Sequence, residues 1–455
     1  MTIDMALEKL GGILSIYDPK SNKVPFCYPG TILNWDERLL TAAARILNQQ
    51  HNHIGIHTTG NGKKSAEGGF ENTQSLEAKA LEMIASTVGG NPNAIDGYFC
   101  GGATEANMQG LWTGRQWLRE NPDPFNRGIC ILCTPLTHYS ILKASSLLDI
   151  GHSGMSNCPQ CGLDHVFVPD AKGSGVALVG MDAQGCMKMT ELKRIFKLKH
   201  EEGFRRFLIV ATVATTAMGS IDPIEEIAGF VKDVHAETLA HCYLHVDAAF
   251  GGFTVPYVNP QRKIGFRLPE VMSIALDADK MGRLPYPSGV FLCRKNLLRL
   301  VGRRVTYIGG AKDDTISGSR TGLAGIMAYM LFCVGGREEQ RKYVQECIAA
   351  RDRLAELITE RLKWAKIVTL PPDVNMLPVE FSMGKTGKIP HALEEGDILG
   401  GYHLRSDYFQ NDPGNTQSCP RHVYKLCIMP HTFPYLESFV DDLEKAHGKL
   451  MKRKK

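Results

Sequence analysis

Two side chains of complementary chemistry lie at the ends of two apolar segments of this 455-residue chain. The segment 244–247 ends in the carboxylate of Asp247, and the segment 274–276 is followed by the amine of Lys280. Both segments indicate buried strands of an α/β sheet, and such sheets bind ligands beyond the carboxyl ends of their strands. A lysine amine can form a Schiff base with pyridoxal phosphate (PLP), and an aspartate can keep the cofactor's pyridine nitrogen protonated. The pair therefore predicts a PLP site.

Either residue alone carries little information and could be an ordinary turn aspartate or an ordinary surface lysine. The surrounding elements favour the PLP site over that interpretation. Ahead of both, the short strand 97–100 leads into Gly101-Gly102 and then into a helix that opens at Ala103 and Thr104. Glycines at such a turn let backbone N–H groups and the helix dipole face a phosphate. The chain thus supplies a phosphate-binding turn ahead of the carboxylate and the lysine.

The stretch His245-Val246-Asp247-Ala248-Ala249, together with Lys280 and the Gly-Gly-Ala-Thr-Glu-Ala-Asn run at 101–107, resembles the group II PLP-dependent amino-acid decarboxylases. The resemblance is closest to the archaeal-type tyrosine/aspartate and the histidine/serine branches, and it runs from about residue 50 to near the C-terminus. It implies an α/β protein with the fold-type I PLP-dependent transferase fold, a mainly parallel seven-stranded sheet and a smaller C-terminal α+β domain. We expect an N-terminal arm at 1–50, a large PLP-binding domain at 51–322 and a small domain at 323–455.

The resemblance also implies a role for individual residues. Lys280 would carry the cofactor, Asp247 would pair with its ring nitrogen, and His138 would stack on the ring. Tyr307 would lie on a mobile loop that enters the partner's active site and reprotonates the substrate carbon. The further cofactor contacts expected are Ala103 and Thr104 at the phosphate, Thr215 (or, as second choice, Thr216) at the 3′ oxygen, Ala249, and Gly318 and Ser319 reaching the partner's phosphate. The implied enzyme is a homodimer with composite active sites.

The implied reaction is the α-decarboxylation of an L-amino acid to the corresponding amine and CO2. The polar, glycine-rich stretch 51–72 would form the substrate entrance, and no pattern in the chain names the substrate's side chain. Two alternatives remain open at this point. One is a carbon–carbon lyase or an oxidative decarboxylase or deaminase on the same scaffold. The other is a catalytically inactive PLP fold that serves as a binding subunit.

Two positions depart from the family pattern. Asp279 precedes the lysine where the family has a histidine close to the phosphate. A carboxylate there must turn away, pair with a cation such as Arg283, or be protonated, because it would repel the phosphate dianion. In the C-terminal strand, Lys425 stands where some members carry an arginine for the substrate carboxylate, with Arg421 nearby. Lysine offers a point charge rather than a bidentate fork, so the carboxylate would be oriented differently.

Composition excludes several other classes of function. The hydrophobic content of 43%, the charged content of 22% and the net charge of +4 are ordinary for a soluble globular protein. The basic end at 449–455 indicates a solvated terminus rather than a nucleic-acid site. No apolar run approaches the ~20 residues of a membrane span, and residues 1–10 lack a signal-peptide pattern. We therefore expect a cytoplasmic protein without nucleic-acid or membrane partners.

The 13 cysteines also favour a cytoplasmic location. Several lie in apolar strands and would act as small buried hydrophobes, which suits a reducing compartment. Cys158 and Cys161 differ, because they lie in a polar stretch between His152 and His165. Such spacing can hold zinc, but the segment lacks the second Cys-x-x-Cys of a complete knuckle. We expect two free thiols and no metal site.

Overall fold

The computed structural model describes residues 3–5, 24–30, 36–53, 70–151, 153–157, 164–169, 175–306, 312–381, 404–409, 411 and 421–453. The helices that build the fold are α1 (Glu37–Asn48), α2 (Glu71–Thr87), α3 (Ala103–Arg119), α4 (Tyr139–Leu147), α5 (Met189–Glu201), α6 (Ile224–Glu237), α7 (Val255–Val258), α8 (Leu323–Arg361) and α9 (Leu436–Arg453).

The strands belong to a large sheet, a small sheet and two hairpin pairs. They are β1 (Ile95–Cys100), β2 (Ile129–Cys133), β3 (Ser153–Asn157), β4 (Asp164–Pro169), β5 (Val176–Leu178), β6 (Arg206–Thr212), β7 (His241–Asp247), β8 (Val271–Asp277), β9 (Gly289–Arg294), β10 (Arg303–Arg304), β11 (Lys312–Asp313), β12 (Ala365–Ile367), β13 (Met376–Phe381), β14 (Arg405–Phe409) and β15 (Arg421–Cys427).

The large sheet has seven strands in the order β1-β9-β8-β7-β6-β2-β5. Strands β5, β2, β6, β7 and β8 pair in parallel, and β9 runs antiparallel to both β8 and β1. Its central strands are mostly apolar and are buried along almost their whole length, as expected for a sheet covered on both faces. The predicted mainly parallel, seven-stranded α/β sheet is therefore confirmed.

The carboxyl ends of the parallel strands meet at one edge of this sheet. Strands β7 and β8 are neighbours, and Asp247 at the end of β7 lies opposite Ala275 of β8. Because β8 ends at Asp277, Lys280 follows one turn beyond the same edge. The two chemical groups from which the sequence analysis started are thus brought together by the pairing of their strands.

A second, smaller layer is formed by the C-terminal part of the chain. Its antiparallel sheet has the order β12-β13-β15-β14 and packs with α9 around an apolar core of its own. Residues ahead of α1 join that core, because Phe26 stacks on Phe439 with 4.2 Å between ring centroids. Helix α8 contributes to both cores, and Gly336 interrupts its helical geometry with a φ of +66°. The segment 388–395, for which the sequence favours a helix, lies outside the described residues.

None of the described helices combines the length and the apolar character that crossing a bilayer requires.

Candidate active site

One cavity of about 630 Å³ opens at the carboxyl edge of the large sheet. Six of the residues predicted from the sequence line it: Ala103, Thr104, His138, Asp247, Ala249 and Lys280. They come from four stretches of chain: the first turn of α3, the residue before α4, the end of β7 with the residues after it, and the turn after β8. Such a concave site with convergent polar groups is the usual form of a cofactor pocket.

Asp247 is held by donors to both of its oxygens. Its Oδ1 accepts the backbone N–H of Ala249 at 3.1 Å, and its Oδ2 accepts a side-chain N–H of Asn107 at 3.0 Å. The residue is only 3% exposed. Asp247 thus places a buried carboxyl group, held by two donors, in the lining of the cavity.

Lys280 lies against a second carboxylate. Its Nζ is 3.0 Å from Asp277 Oδ2, while Asp277 Oδ1 accepts the backbone N–H of Ala103 at 2.9 Å. Burial is the largest single effect and lowers the pKa of Lys280, but the charge and hydrogen bond of Asp277, together with the charges of Asp247 and Asp279, leave the pKa raised. Asp277 therefore connects the amine to the first turn of α3, a role that the sequence analysis missed.

The first turn of α3 has the geometry of an anion site. Gly102 precedes it with a φ of +120°, which favours glycine, and a Cβ at Gly289 of strand β9 would lie 2.3 Å from the Gly102 carbonyl carbon. Ala103 and Thr104 stand at the N-terminal end of a 17-residue helix, where the dipole is positive. The turn can thus face a phosphate across the cavity from Asp247.

His138 caps helix α4 at the mouth of the same cavity. Its Nδ1 lies 2.8 Å from Ser140 Oγ and accepts the backbone N–H of Ser140 at 3.3 Å. Burial lowers the pKa of His138, the charge of Asp247 opposes this effect, and the charge of Lys280 adds to it. A neutral imidazole is well suited to lie flat on an aromatic ring.

These groups fit PLP. The lysine amine, a buried carboxylate for a ring nitrogen, an imidazole for a ring face and a helix N-terminus for a phosphate all face one cavity. When bound, PLP supplies an electron sink for the pair of electrons that a leaving carboxyl group releases.

A family model described as the pyridoxal-dependent decarboxylase conserved domain matches residues 73–384. The chain belongs to the pyridoxal-dependent decarboxylase family. It is 32% identical over 414 residues to a tryptophan decarboxylase of Clostridium sporogenes, covering 90% of this chain and 86% of the relative. It is 29% identical over 379 residues to a probable L-tyrosine/L-aspartate decarboxylase of Methanocella arvoryzae, covering 83% of this chain and 84% of that protein. The structure of Lactobacillus brevis glutamate decarboxylase shares its fold, with a TM-score of 0.75 at 18% identity over 98% of this chain and 92% of that one.

The decarboxylase is accordingly an enzyme, a carboxy-lyase that acts on an amino acid with PLP as its cofactor. The predicted family, fold class, reaction and cofactor are confirmed.

One predicted contact of the decarboxylase does not belong to the described lining of the cavity. Thr215 was the first choice for the cofactor's 3′ oxygen, but its side chain is buried and its Oγ1 lies 2.6 Å from Ser220 Oγ. Ala214, with a φ of +70°, and the exposed Thr216 line the cavity instead. The turn after β6 closes on itself through Thr215, so Thr216, the second choice, is the threonine presented to the cavity.

Three predicted residues concern the neighbouring subunit. Tyr307 lies outside the described residues. Gly318 and Ser319 are described, and neither belongs to the described lining of the cavity in their own chain. The segment that carries them is anchored beside α3, because Ser317 Oγ donates to Glu105 Oε1 at 2.9 Å. Their expected role across a dimer remains a prediction.

Asp279 of the decarboxylase does not belong to the described lining of the cavity, which agrees with the first of the three possibilities, a carboxyl group that turns away from the phosphate. Arg283 does not pair with it, since the guanidinium binds Glu339 at 2.7 Å and Gln340 at 3.1 Å. Asp279 is only 4% exposed, and its Oδ2 accepts the Ser288 backbone N–H at 3.0 Å. Burial, and after it the charge of Asp277, raise the pKa of Asp279 to about 7. Burial and the neighbouring charge of Asp277 therefore both favour the protonated form of Asp279.

The cavity is completed by parts of the chain that lie far from these motifs. Cys27 and Pro29, from the segment before α1, line it together with Met376, Lys425 and Cys427 of the small sheet. Lys425 was predicted, whereas Arg421 is occupied by Glu380 at 2.8 Å. No sequence signal identified the N-terminal contribution, because Cys27 and Pro29 have no motif around them.

Cys158 and Cys161 lie outside the described residues. Within the part of the chain that the structure describes, no three His, Cys, Asp or Glu side chains form a group suited to a metal ion.

Proposed function

We propose that the decarboxylase carries PLP on Lys280 and removes the α-carboxyl group of an L-amino acid. The observation that carries this assignment is the convergence of Lys280, Asp247 and His138 on one cavity. Asp247 holds a proton at the cofactor's ring nitrogen, because its two donors keep the carboxylate charged. His138 keeps the ring plane fixed from above.

The remaining contacts follow from their positions around the cavity. The N-terminus of α3, with Ala103 and Thr104, binds the phosphate, and Thr216 binds the 3′ oxygen. Ala249 lies next to Asp247 and supplies one of its two donors. Tyr307 of the neighbouring subunit, or His138, returns a proton to the α-carbon after CO2 has left.

We infer that Lys425 binds the substrate's α-carboxylate and that the substrate's side chain is uncharged. Lys280 and Lys425 are the cations among the described lining residues, and Leu136, Phe250 and Met376 give the cavity apolar surface. Once Lys425 has taken the α-carboxylate, the described lining offers no cation for an acidic side chain. The relative named a tryptophan decarboxylase agrees with an uncharged substrate.

Replacing Lys425 tests that inference. Lys425→Gln should raise KM for every accepted amino acid by a similar factor, because the α-carboxylate is common to all of them. If the increase is confined to amino acids with acidic side chains, Lys425 binds the side chain and the inference is wrong.

The attachment site is tested by reducing the PLP-loaded protein with borohydride and mapping the labelled peptide. The label should be on Lys280 and should disappear in Lys280→Ala, while the control Lys295→Ala, an exposed lysine bonded to the Asn93 carbonyl, keeps it. A label on another lysine would overturn the assignment. Screening the twenty amino acids for CO2 and amine release then identifies the substrate.

We further propose a homodimer with composite sites. Two observations support it: Gly318 and Ser319 do not belong to the described lining in their own chain, and α1 exposes an apolar stripe. Leu40 and Leu47 on that helix are 48% and 56% exposed. Mixing inactive Tyr307→Phe and Lys280→Ala subunits should restore up to about a quarter of normal activity, since each heterodimer has one intact composite site. An inactive mixture in which heterodimers are shown to form would contradict the shared site.

The domain boundaries 1–50, 51–322 and 323–455 and a cytoplasmic location are also part of the proposal. The separate apolar cores of the two sheets support the division between the large and the small domain. The described cysteines are free thiols and most are buried, which suits a reducing compartment.

A further inference from the structure

A chain of buried polar side chains lies beneath the site, on the protein side of Asp247. Its centre is Asn107, one turn into α3, which is fully buried. The Asn107 amide donates one hydrogen to Asp247 Oδ2 at 3.0 Å and the other to Ser140 Oγ at 2.9 Å. Its Oδ1 lies 2.9 Å from His245 Nε2. Every polar atom of this amide therefore has a partner.

The orientation of the amide is dictated by Asp247. If the amide were turned over, so that its oxygen and nitrogen exchanged places, Asn107 Oδ1 would face a carboxylate oxygen of Asp247 at about 3 Å. Two acceptors at hydrogen-bond distance repel each other, and a buried carboxylate would lose a donor. The amide nitrogen must therefore face Asp247, and Oδ1 must face His245.

This orientation determines the state of His245. Because Asn107 Oδ1 can only accept, His245 carries a hydrogen on Nε2. Burial lowers the pKa of His245 to about 4, although the charge of Asp247 opposes it, so the ring is neutral at pH 7. Its Nδ1 is then an acceptor, and Ser273 Oγ donates to it at 2.8 Å.

The second branch determines the tautomer of His138. Ser140 Oγ accepts from Asn107, so its single hydrogen is available for His138 Nδ1 at 2.8 Å. The backbone N–H of Ser140 points to the same nitrogen at 3.3 Å. With Nδ1 accepting, a neutral His138 carries its proton on Nε2.

We propose that Asn107 is a positioning residue that fixes two functional groups at once, the ionised carboxylate of Asp247 and the Nε2–H tautomer of His138. His245 and Ser273 act behind it by fixing the amide orientation. The proposal rests on the proposed function, in which Asp247 serves the ring nitrogen and His138 the ring face.

Gly110, one turn further along α3, supports the arrangement from an independent direction. A Cβ at this position would lie 2.4 Å from His245 Cε1, a distance that side chains do not tolerate. Helix α3 therefore contributes both the amide that binds His245 and the space that the imidazole occupies. Glycine costs a helix interior roughly 1 kcal/mol relative to alanine, so its presence here has a packing reason.

The test uses the PLP-loaded enzyme with ¹⁵N-labelled histidine and cofactor labelled at its ring nitrogen. In Asn107→Ala, the ring-nitrogen resonance should move toward the unprotonated position, because Asp247 without its donor holds the proton itself. The His138 resonances should change from one tautomer to a mixture. We expect kcat to fall about tenfold to a hundredfold, the factor typical of a lost hydrogen bond to a charged group.

Ser273→Ala is the milder variant and keeps the proposal testable if Asn107→Ala does not fold. It frees His245 Nδ1 alone, so both resonances should shift in the same directions by smaller amounts. The matched control is Thr113→Val on the same helix. Thr113 is as buried as Asn107, and its Oγ1 accepts a hydrogen bond from the side chain of Gln109 at 3.3 Å. No described hydrogen bond joins it to Asp247 or His138, so its replacement should leave both resonances unchanged.

Unchanged resonances in folded, PLP-loaded Asn107→Ala or Ser273→Ala would overturn the proposal. Failure of the proposed function would look different, because the wild-type protein would then carry no cofactor on Lys280. If Thr113→Val shifts both resonances as much as Asn107→Ala does, Asn107 is an ordinary packing residue. That result would also overturn the proposal.

Discussion

Two buried charge clusters of this molecule differ in how completely their charges are compensated. In the first, which we name the Glu77 cluster, Glu77 Oε1 accepts from Arg320 at 3.1 Å and from the Phe99 N–H at 3.2 Å. Its Oε2 contacts His53 Nδ1, and Arg320 also lies over the Tyr98 ring. Burial favours a raised pKa for Glu77, but Arg320 and His53 outweigh it and lower the pKa to about 2.

The second, the Asp277 cluster, consists of Asp277, Asp279 and Lys280. It holds two carboxyl groups against one amine, and Asp279 Oδ1 has no hydrogen-bond partner among the described residues. Here the pKa of Asp279 is raised to about 7 by burial and by Asp277, whereas the Glu77 cluster holds its carboxylate far from titration. A cluster whose charges are fully compensated holds distant segments of the chain together. A cluster beside a cavity whose charges are incompletely compensated can take up or release protons and can bind a ligand.

The largest difference should appear when each cluster loses its central group. Lys280→Ala should reduce turnover to background, because the proposed attachment of PLP needs the amine of this lysine. The stability of the PLP-free protein should change little, since Asp277 keeps the Ala103 N–H and can share the proton of Asp279. CO2 release and denaturant unfolding of the PLP-free protein measure the two effects. A loss of stability as large as that of Glu77→Gln would remove the distinction.

Asp247→Ala should come next, with PLP still attached and the rate lowered by about 10²-fold or more, because a neutral pyridine is a poor electron sink. The measurement is single-turnover CO2 release by protein whose PLP content has been determined. A loss below about tenfold would contradict the role of Asp247.

Glu77→Gln should have the opposite effect to Lys280→Ala, with a loss of stability and little change in turnover. It keeps the shape of the side chain but leaves Arg320 buried without its counter-charge, which typically costs about 3–5 kcal/mol. The free energy of unfolding should fall by that amount, while kcat of the remaining folded enzyme stays within a few-fold. The control Glu338→Gln removes an exposed partner of Arg341 and should have no measurable effect. A stable Glu77→Gln protein with a collapsed kcat would place Glu77 in the active site.

The last difference between the clusters is the pH dependence that Asp279 causes. Its pKa is about 7 in the folded protein and about 3.8 when unfolded, so the folded state binds the proton more tightly. The stabilisation is complete below pH 4 and is lost as the pH rises to 7, by up to about 4 kcal/mol at 1.4 kcal/mol per pH unit. Asparagine cannot ionise, so the advantage of Asp279→Asn should grow between pH 4 and 7 and then level off.

Asp222→Asn is the matched control for that experiment. Burial raises the pKa of Asp222 to about 6, but its two oxygens accept the N–H groups of Met187 and Thr212 at 2.7 Å each. An amide cannot accept both bonds equally well, so this variant should lose stability at every pH. If the difference in the free energy of unfolding between Asp279→Asn and wild type does not vary with pH, Asp279 is not the group that titrates.

Local sequence patterns predicted much of the fold. Strands β1, β7 and β8 were each recognisable, because a strand covered on both faces is a short apolar run bounded by turn residues. Helix ends are harder to predict. The pattern Asp-Pro-Ile-Glu at 222–225 favours a helix capped by Asp222, but α6 begins at Ile224 with Pro223 as its cap, since the carboxylate of Asp222 is bound elsewhere.

The sequence by itself determined the family, the cofactor and the pair Asp247 and Lys280, since strand-end position and residue type are local properties. Only the tertiary structure decided which threonine faces the cavity, what protonation state suits Asp279, and that Asn107 joins Asp247 to His138. The physical reason is sequence separation: Asn107 meets Asp247 across 140 residues, Ala103 meets Asp277 across 174, and Arg320 meets Glu77 across 243. A side chain's partner and pKa depend on such neighbours, which no local pattern contains.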